Sequence, residues 1–495
     1  MLNALAIVFT GLVIFSSLPL FTSLYQFLLV GIHGYKNHYC KTKPITPRVA
    51  IIIPAWNEGS VIGTTIEQLY GMDYPKDALR IYVVDDASTD DTPTICKTMH
   101  EKYPDNVFHL RRENGGQGKA HTLNHGIEII LSETWAEAFL IMDADVLFEN
   151  DALRKMSRHL ADPEVGSVTA YIKEGSSPGN YISKCIAFEY ITAQAASRRA
   201  QNIMGKMACL AGGAQLHTRE NLLAIGGRID TSSLAEDTFT TFNTQLNGRK
   251  AVFDGNAIVW AEEPDNVVGV WKQRLRWARG NVQLTKAFKH VWFNRKKGLR
   301  LGSADFGILW FAIILMPFFM IFGAIGLVAL FFIDFPLSWF LFKQFWILNS
   351  IVYLFVTLFS FGIDPFTAKR SWVQGLLFPG LISLIIIVLS AIPGLLEHLL
   401  ALGNPPSGQT LTWYAQLIVL FMYSWLALCM LVTYWAYLLE KNYNYRTLAK
   451  WLIIISGFGP LLCAITLQSY ISEWKKTELK WDKTEKSGKV KVMSS

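Results

Sequence analysis

Three short stretches decide how the middle of the chain folds. Arg48–Ile53 reads RVAIII and runs into Pro54-Ala55-Trp56-Asn57-Glu58. Leu79–Val84 reads LRIYVV and runs into Asp85-Asp86-Ala87-Ser88-Thr89-Asp90-Asp91-Thr92, and Glu137–Met142 reads EAFLIM and delivers Asp143-Ala144-Asp145. Each is a β-rich apolar run closed by a polar loop, and the first two loops open helical patterns at 61–70 and 93–102. Strand, polar loop, helix, strand is the rhythm of a parallel sheet. Ligands of such sheets bind beyond the carboxyl ends of the strands, where all three loops lie. In extended chain residues i and i+2 face one side, so Asp143 and Asp145 are placed to share a hard cation, Mg²⁺ or Mn²⁺, completed by substrate phosphates.

Around this segment the composition changes. Of 495 residues 51% are hydrophobic and only 17% charged, with 31 Phe, 18 Tyr and 16 Trp. Soluble domains carry about 25% charged residues, so disorder, a coiled coil and a disulfide scaffold are excluded and a wholly soluble protein is disfavoured. The apolar excess is local: residues 2–32 hold no charged side chain, and 304–439 and 451–467 are dominated by aliphatic and aromatic residues. Spanning a bilayer takes roughly 20 apolar residues. The expected organisation is therefore a membrane helix at 1–34, a water-soluble α/β domain at 44–262, an amphipathic interface helix at 263–300, a membrane region at 303–470 and a basic tail at 471–495. Candidate spans in that region are 305–333, 344–362, 374–396, 411–439 and 450–470. The first span is a retained anchor kinked at Pro19 rather than a secretory signal, because no Lys or Arg precedes a long apolar stretch and no A-x-A site closes it.

Lys36, Lys41, Lys43 and Arg48 follow the first span, and Arg295, Lys296, Lys297 and Arg300 precede the second. Basic edges place the soluble domain in the cytoplasm. Strict alternation then puts the tail outside although it carries Lys475, Lys476, Lys480, Lys483, Lys486, Lys489 and Lys491, so either one candidate span does not cross or the tail breaks the rule. The net charge of +7 reads as lipid-headgroup contact and topology control, with no nucleic-acid motif behind it. The 6 Cys lack C-x-x-C spacing and suggest neither zinc nor disulfides.

P-A-x-N-E, D-D-A-S-T-D-D-T and D-A-D are followed in order by Glu236-Asp237 and by Gln273-Arg274-Leu275-Arg276-Trp277. This series resembles the family 2 inverting glycosyltransferases, specifically the membrane-embedded polysaccharide synthases for cellulose, chitin, hyaluronan and poly-N-acetylglucosamine, which share a Q-x-x-R-W ending. The resemblance implies an α/β GT-A fold, a Rossmann-like mixed sheet, inserted between transmembrane α-helices. It assigns Asp86 to the uracil ring, with Ala55 and Glu58 bordering the nucleotide pocket. Gly116-Gln117-Gly118-Lys119 before a helix at 122–131 resembles the G-K-A-x-x-L-N segment, and amide groups at a helix start plus Lys119 make a diphosphate cradle. Asp145 is the first candidate for the cation, with Asp143 on the ribose or the metal.

Asp237, paired with Glu236, matches the acid of the family's T-E-D motif, although Ala235 stands in the Thr position. A positioned base contributes roughly 10²–10⁴-fold. Gln273, Arg276 and Trp277 are implied at the nucleotide-sugar, Arg276 pairing with its diphosphate, and Trp277 also offers its face to the acceptor sugar. Gly212 and Gly213 resemble the acceptor loop that cellulose synthases fill with C-G-S. Implied partners are a UDP-sugar donor, a growing polysaccharide acceptor and the lipid bilayer; accessory subunits stay undefined. The expected protein is a processive synthase of the bacterial inner membrane that moves its β-linked product across the bilayer. A non-processive transferase to a lipid carrier and a nucleotide-sugar-sensing export channel remain the alternatives. Glucose and N-acetylglucosamine are not separable by these motifs. The short Lys-rich tail, unlike the cyclic-dinucleotide module of some cellulose synthases, leans toward amino sugars.

Overall fold

The computed structural model describes residues 2–400, 412–477 and 490–492. The chain divides into two units. One comprises Met1–Leu28, Asn266–Ala278 and Ile308–Thr477, the other Leu29–Asp265, Arg279–Gly307 and Glu478–Ser495.

The second unit is built on eight strands: β1 (Val49–Ala55), β2 (Leu79–Asp85), β3 (Val107–Arg111), β4 (Ala138–Ile141), β5 (Val146–Phe148), β6 (Val165–Glu174), β7 (Gln215–Thr218) and β8 (Lys250–Ala261). Their order is β3-β2-β1-β4-β7-β6-β8-β5. β1 lies parallel to β2 and β4, β2 to β3, and β6 to β8. β7 is antiparallel to β4 and β6, and β5 to β8, so the sheet is mixed. Central parallel strands covered on both faces need apolar residues at successive positions, and Val49–Ile53 has no exposure at all. Leu123, Ile127 and Ile130 of the helix Lys119–Ser132 cover Ala50, Ile52, Tyr82, Val84, Phe139 and Ile141. Ala55 is in register with Asp85, so the loops after β1 and β2 leave the sheet side by side.

A helix runs from Glu236 to Leu246, which puts Asp237 inside its first turn. Within the 263–300 segment expected as an amphipathic helix, the helix proper runs from Val267 to Ala287. There the Trp292 indole donates to Thr285 O at 3.0 Å and Phe293 takes a left-handed φ of 56°, which turns the chain.

The first unit is helical. Asn3–Tyr35, Met316–Ile333, Phe335–Ile363 and Trp413–Tyr443 are long and apolar enough to cross a membrane. The first of these breaks at Ser17, two residues before Pro19. The spans expected at 374–396 and 450–470 are not straight. Pro365–Leu376 and Leu381–Ala391 meet at 85°, and Arg446–Ser456 and Phe458–Trp474 at 101°. Gly380 (φ 91°) and Gly457 (φ 104°) make the breaks, a conformation that glycine adopts without a Cβ penalty. The breaks also touch: a Cβ on Gly380 would lie 2.4 Å from Ser456 C, and one on Gly457 2.5 Å from Pro379 C. Freed backbone at such breaks is tolerated where it packs inside protein.

The tail is ordered where it is described. Val490 bridges Ser176, and Lys491 N–H donates to Gly175 O at 3.0 Å, just past the end of β6. Lys480, Lys483, Lys486 and Lys489 lie outside the described residues.

Candidate active site

The polar loops of the α/β unit gather at the carboxyl ends of β1, β2, β3 and β4. The loops after β1 and β2 are stitched together, Asn57 N–H donating to Ser88 Oγ at 3.0 Å and Thr89 N–H to Asn57 Oδ1 at 2.8 Å. Asn57 and Ala87 both hold left-handed φ, 53° and 58°. For Ala87 that conformation costs roughly 1–2 kcal/mol, and strain of this kind persists where surrounding contacts over-determine it. Asp86 follows directly from the buried strand end. Its N–H donates to Ala55 O at 2.8 Å and its carboxylate pairs with Arg112 and accepts Gly116 N–H at 2.9 Å. Glu58 N–H donates to Thr92 Oγ1 at 2.8 Å.

In the loop before the helix Lys119–Ser132, the Gly116 N–H donates to Asp86 and Gln117 Oε1 accepts Arg112 Nη2 at 2.6 Å. Lys119, at the start of its helix, points elsewhere. Its ammonium lies 2.5 Å from Asp143 Oδ1, 3.7 Å from Glu236 Oε1 and 3.2 Å from Gly212 O. Burial alone would pull this lysine down, but Asp143, Glu236 and Asp237 outweigh it and hold its pKa above the ordinary value.

Glycine makes that gathering fit. A Cβ on Gly212 would lie 3.2 Å from Asp237 Oδ2 and 3.4 Å from Lys119 Nζ, and one on Gly213 3.6 Å from Asp143 Oδ2. Gly212 and Gly213 therefore run between the D-A-D carboxylate on one side and Asp237 on the other. Lys119, Gln215, Glu236, Asp237 and Thr240 line one small cleft. Asp145 is buried at the turn into β5. Among the described residues no group of three or more His, Cys, Asp and Glu could hold a metal ion alone. Asp143 and Asp145 sit in the turn between β4 and β5 rather than in extended chain, and carboxylates such as these suit a hard cation that takes one or two of them plus phosphate oxygens.

The remaining candidates, Gln273, Arg276 and Trp277, belong to the helical unit. There Val267 N–H at the head of their helix donates to the buried Glu440 Oε2 at 3.2 Å, and Trp271 stacks on Tyr437 with centroids 4.2 Å apart. Arg274 donates to Gln273 Oε1 at 2.8 Å and lies 4.1 Å over the Trp277 ring.

A family model described as "Glycosyltransferase like family 2" matches residues 47–280. "Probable glycosyltransferase YdaM" of Bacillus subtilis is 30% identical over 325 residues, 64% of this chain and 75% of that protein. The chain belongs to glycosyltransferase family 2. It is also similar to "Beta-monoglucosyldiacylglycerol synthase" of Synechocystis, 29% identical over 48% of each chain. "Poly-beta-1,6-N-acetyl-D-glucosamine synthase" of Staphylococcus aureus is 27% identical over 48% of this chain and 55% of that protein. The chain thus spans about half the length of these last two relatives. Among solved structures, a mannosyltransferase from Pyrobaculum calidifontis, in complex with GDP-Man and Mn2+, superposes with a TM-score of 0.53 at 22% identity. It covers 79% of this chain and 99% of its own, and supports the GT-A fold.

In this family 2 glycosyltransferase several site residues escape sequence reasoning. Arg112 engages Asp86, and Arg111 and His109 engage the fully buried Asp85 at 2.7 and 3.3 Å. Their signal is the Arg-Arg pair at the carboxyl end of β3. Arg198, also missed, is buried and donates from Nε to Cys209 O at 3.2 Å. It follows the π-helical turn Tyr190–Ala196, a rare element that often marks functional sites.

Proposed function

We propose that this glycosyltransferase uses a UDP-activated hexose or N-acetylhexosamine, transfers the sugar with inversion to a growing β-linked polysaccharide, and moves that product across the membrane. The observation that carries this reading is Lys119, whose ammonium joins Asp143 of the D-A-D turn, Gly212 of the acceptor loop and Glu236 beside Asp237. Through Lys119, a donor-side carboxylate, a candidate acceptor backbone and the acidic pair that includes the candidate base are brought together.

In the reaction, Asp237 takes the proton of the acceptor hydroxyl. The oxygen forms its bond to the anomeric carbon from the face opposite the diphosphate, and the sugar–phosphate bond breaks with its electron pair leaving on UDP. Glu236 holds Lys119 beside the leaving group, and Lys119 balances its charge. Asp145, with Asp143, would hold Mg²⁺ or Mn²⁺, which when bound neutralises diphosphate charge. Asp86, held by Arg112, accepts from the uracil ring, with Ala55 and Glu58 beside it. Gly212 and Gly213 border the acceptor, and within the helical unit Gln273, Arg276 and Trp277 supply polar, cationic and aromatic groups of the kind that bind a diphosphate and a sugar face. The catalytic unit faces the cytoplasm of a bacterial inner membrane, as the basic residues flanking it indicate.

A second reading, single transfer to a lipid acceptor, is favoured by the similarity to a monoglucosyldiacylglycerol synthase. Purified protein in lipid nanodiscs is incubated with Mn²⁺ and either UDP-N-acetylglucosamine or UDP-glucose, and products are sized on gels and extracted into chloroform. A ladder of polymer supports the first reading, one extractable glycolipid the second, and no UDP release overturns both. Asp237→Asn retains UDP binding and lowers turnover at least about 10²-fold; unchanged turnover removes Asp237 from its role.

A further inference from the structure

The segment Met207–Gly212 has few backbone partners of its own, and side chains from other elements hold its polar groups. Gln201 Oε1 accepts Ala208 N–H at 2.9 Å, Thr169 Oγ1 accepts Ala211 N–H at 3.0 Å, and Arg198 and Lys119 donate to the carbonyls of Cys209 and Gly212. The most ordered set comes from the helix Glu236–Leu246. Gln245 accepts Met207 N–H at 2.8 Å and donates to Met207 O at 2.7 Å. Thr241 Oγ1 accepts Leu210 N–H at 2.9 Å while donating its own proton to Asp237 O at 2.7 Å. Asp237, Thr241 and Gln245 are four residues apart and share one helix face. As that helix descends from 237 to 245, the loop it holds runs back from Gly212 to Met207.

From this ladder we infer that Thr241 and Gln245 are positioning residues for sugar transfer. They set the register of the acceptor loop against Asp237, so that the base meets the hydroxyl presented beside Gly212. Thr241 is the critical rung, because one fully buried hydroxyl is bonded both to the first turn carrying Asp237 and to the loop. The inference rests on Asp237 being the base.

Thr241→Val keeps the shape of the side chain and deletes only the hydroxyl, whereas Thr241→Ser keeps the hydroxyl. Thr244→Val serves as the control. Thr244 is equally buried one turn on, and its hydroxyl accepts Asn221 Nδ2 at 3.1 Å, away from the loop. Full-length protein in nanodiscs is assayed with UDP-N-acetylglucosamine for kcat and donor KM, with UDP for Kd by calorimetry, and for its thermal midpoint. A displaced reacting geometry costs about tenfold to a hundredfold in rate. Thr241→Val therefore loses that much kcat with UDP Kd within about twofold of wild type, Thr241→Ser restores most of it, and Thr244→Val lowers the thermal midpoint with kcat intact. Equal kcat in Thr241→Val and wild type, or equal losses in the Val and Ser variants, overturns the inference. Failure of the base assignment shows separately, as an Asp237→Asn enzyme that turns over normally.

Discussion

Replacing Lys119 by Met takes one cation out of a group of carboxylates while keeping most of the apolar stem in place. The lysine side chain is 6% exposed, Glu236 is 13% exposed and Asp143 40%. Removing one member of a buried pair costs about 3–5 kcal/mol. Water repays part of that at half-exposed Asp143 but little at Glu236, which leaves about 2–3 kcal/mol. For a domain of 150–250 residues this lowers the thermal midpoint by about 4–12 °C. UDP loses a charge-assisted partner worth about 1.5–3 kcal/mol, or about tenfold to a hundredfold in Kd. The sign of the pH dependence is also set. Because the folded protein holds Lys119 above the ordinary lysine value, its stabilisation is complete below that value and is lost only as pH rises through the raised one. The stability difference between Lys119→Met and wild type should therefore stay flat from about pH 6 to 9. Scanning fluorimetry of solubilised protein and UDP calorimetry measure both effects. A Lys119→Met protein with wild-type midpoint and wild-type UDP affinity would refute the placement of this ammonium.

Two further outcomes are expected. Burial alone would raise the Asp85 carboxyl, but bonds from His109 and Ser88 and the charge of Arg111 outweigh it and bring it down to about 2. Its contribution, about 2 kcal/mol, is present above the ordinary aspartate value and lost as pH falls from about 4 through about 2. Asp85→Asn should flatten the acid unfolding limb in that window by tryptophan fluorescence; an unchanged limb would show that the cluster carries no such weight. Second, since Lys491 donates to Gly175 O beside β6, a reporter fused after Ser495 should lie on the same side of the membrane as the catalytic unit. That requires an even number of crossings after Gly307, so only one of the two bent helix pairs crosses beside the three straight spans. Protease protection of the tail on the opposite side from the catalytic unit would contradict it.

Much of this protein is determined locally. The apolar runs ending in Asn57-Glu58, Asp86 and Asp143 specify strands and loops because the alternation of apolar run and polar turn is itself a short-range signal, and a parallel sheet brings such loops to one edge. Membrane helices are legible for the same reason: length and hydropathy are local sums. The breaks at Gly380 and Gly457 were less legible, since each glycine tolerates a bend but the contact between the two breaks joins residues far apart in sequence. The site behaves likewise. Composition marks Lys119 as a candidate, yet whether its ammonium turns toward Gly116 or toward Asp143 and Glu236 depends on where β4 and the helix Glu236–Leu246 come to rest. Thr241, Gln245 and Arg198 carry no motif at all. A hydroxyl or amide becomes a positioning group only when folding brings an otherwise unsatisfied backbone within about 3 Å of it, and no neighbour along the chain announces that distance.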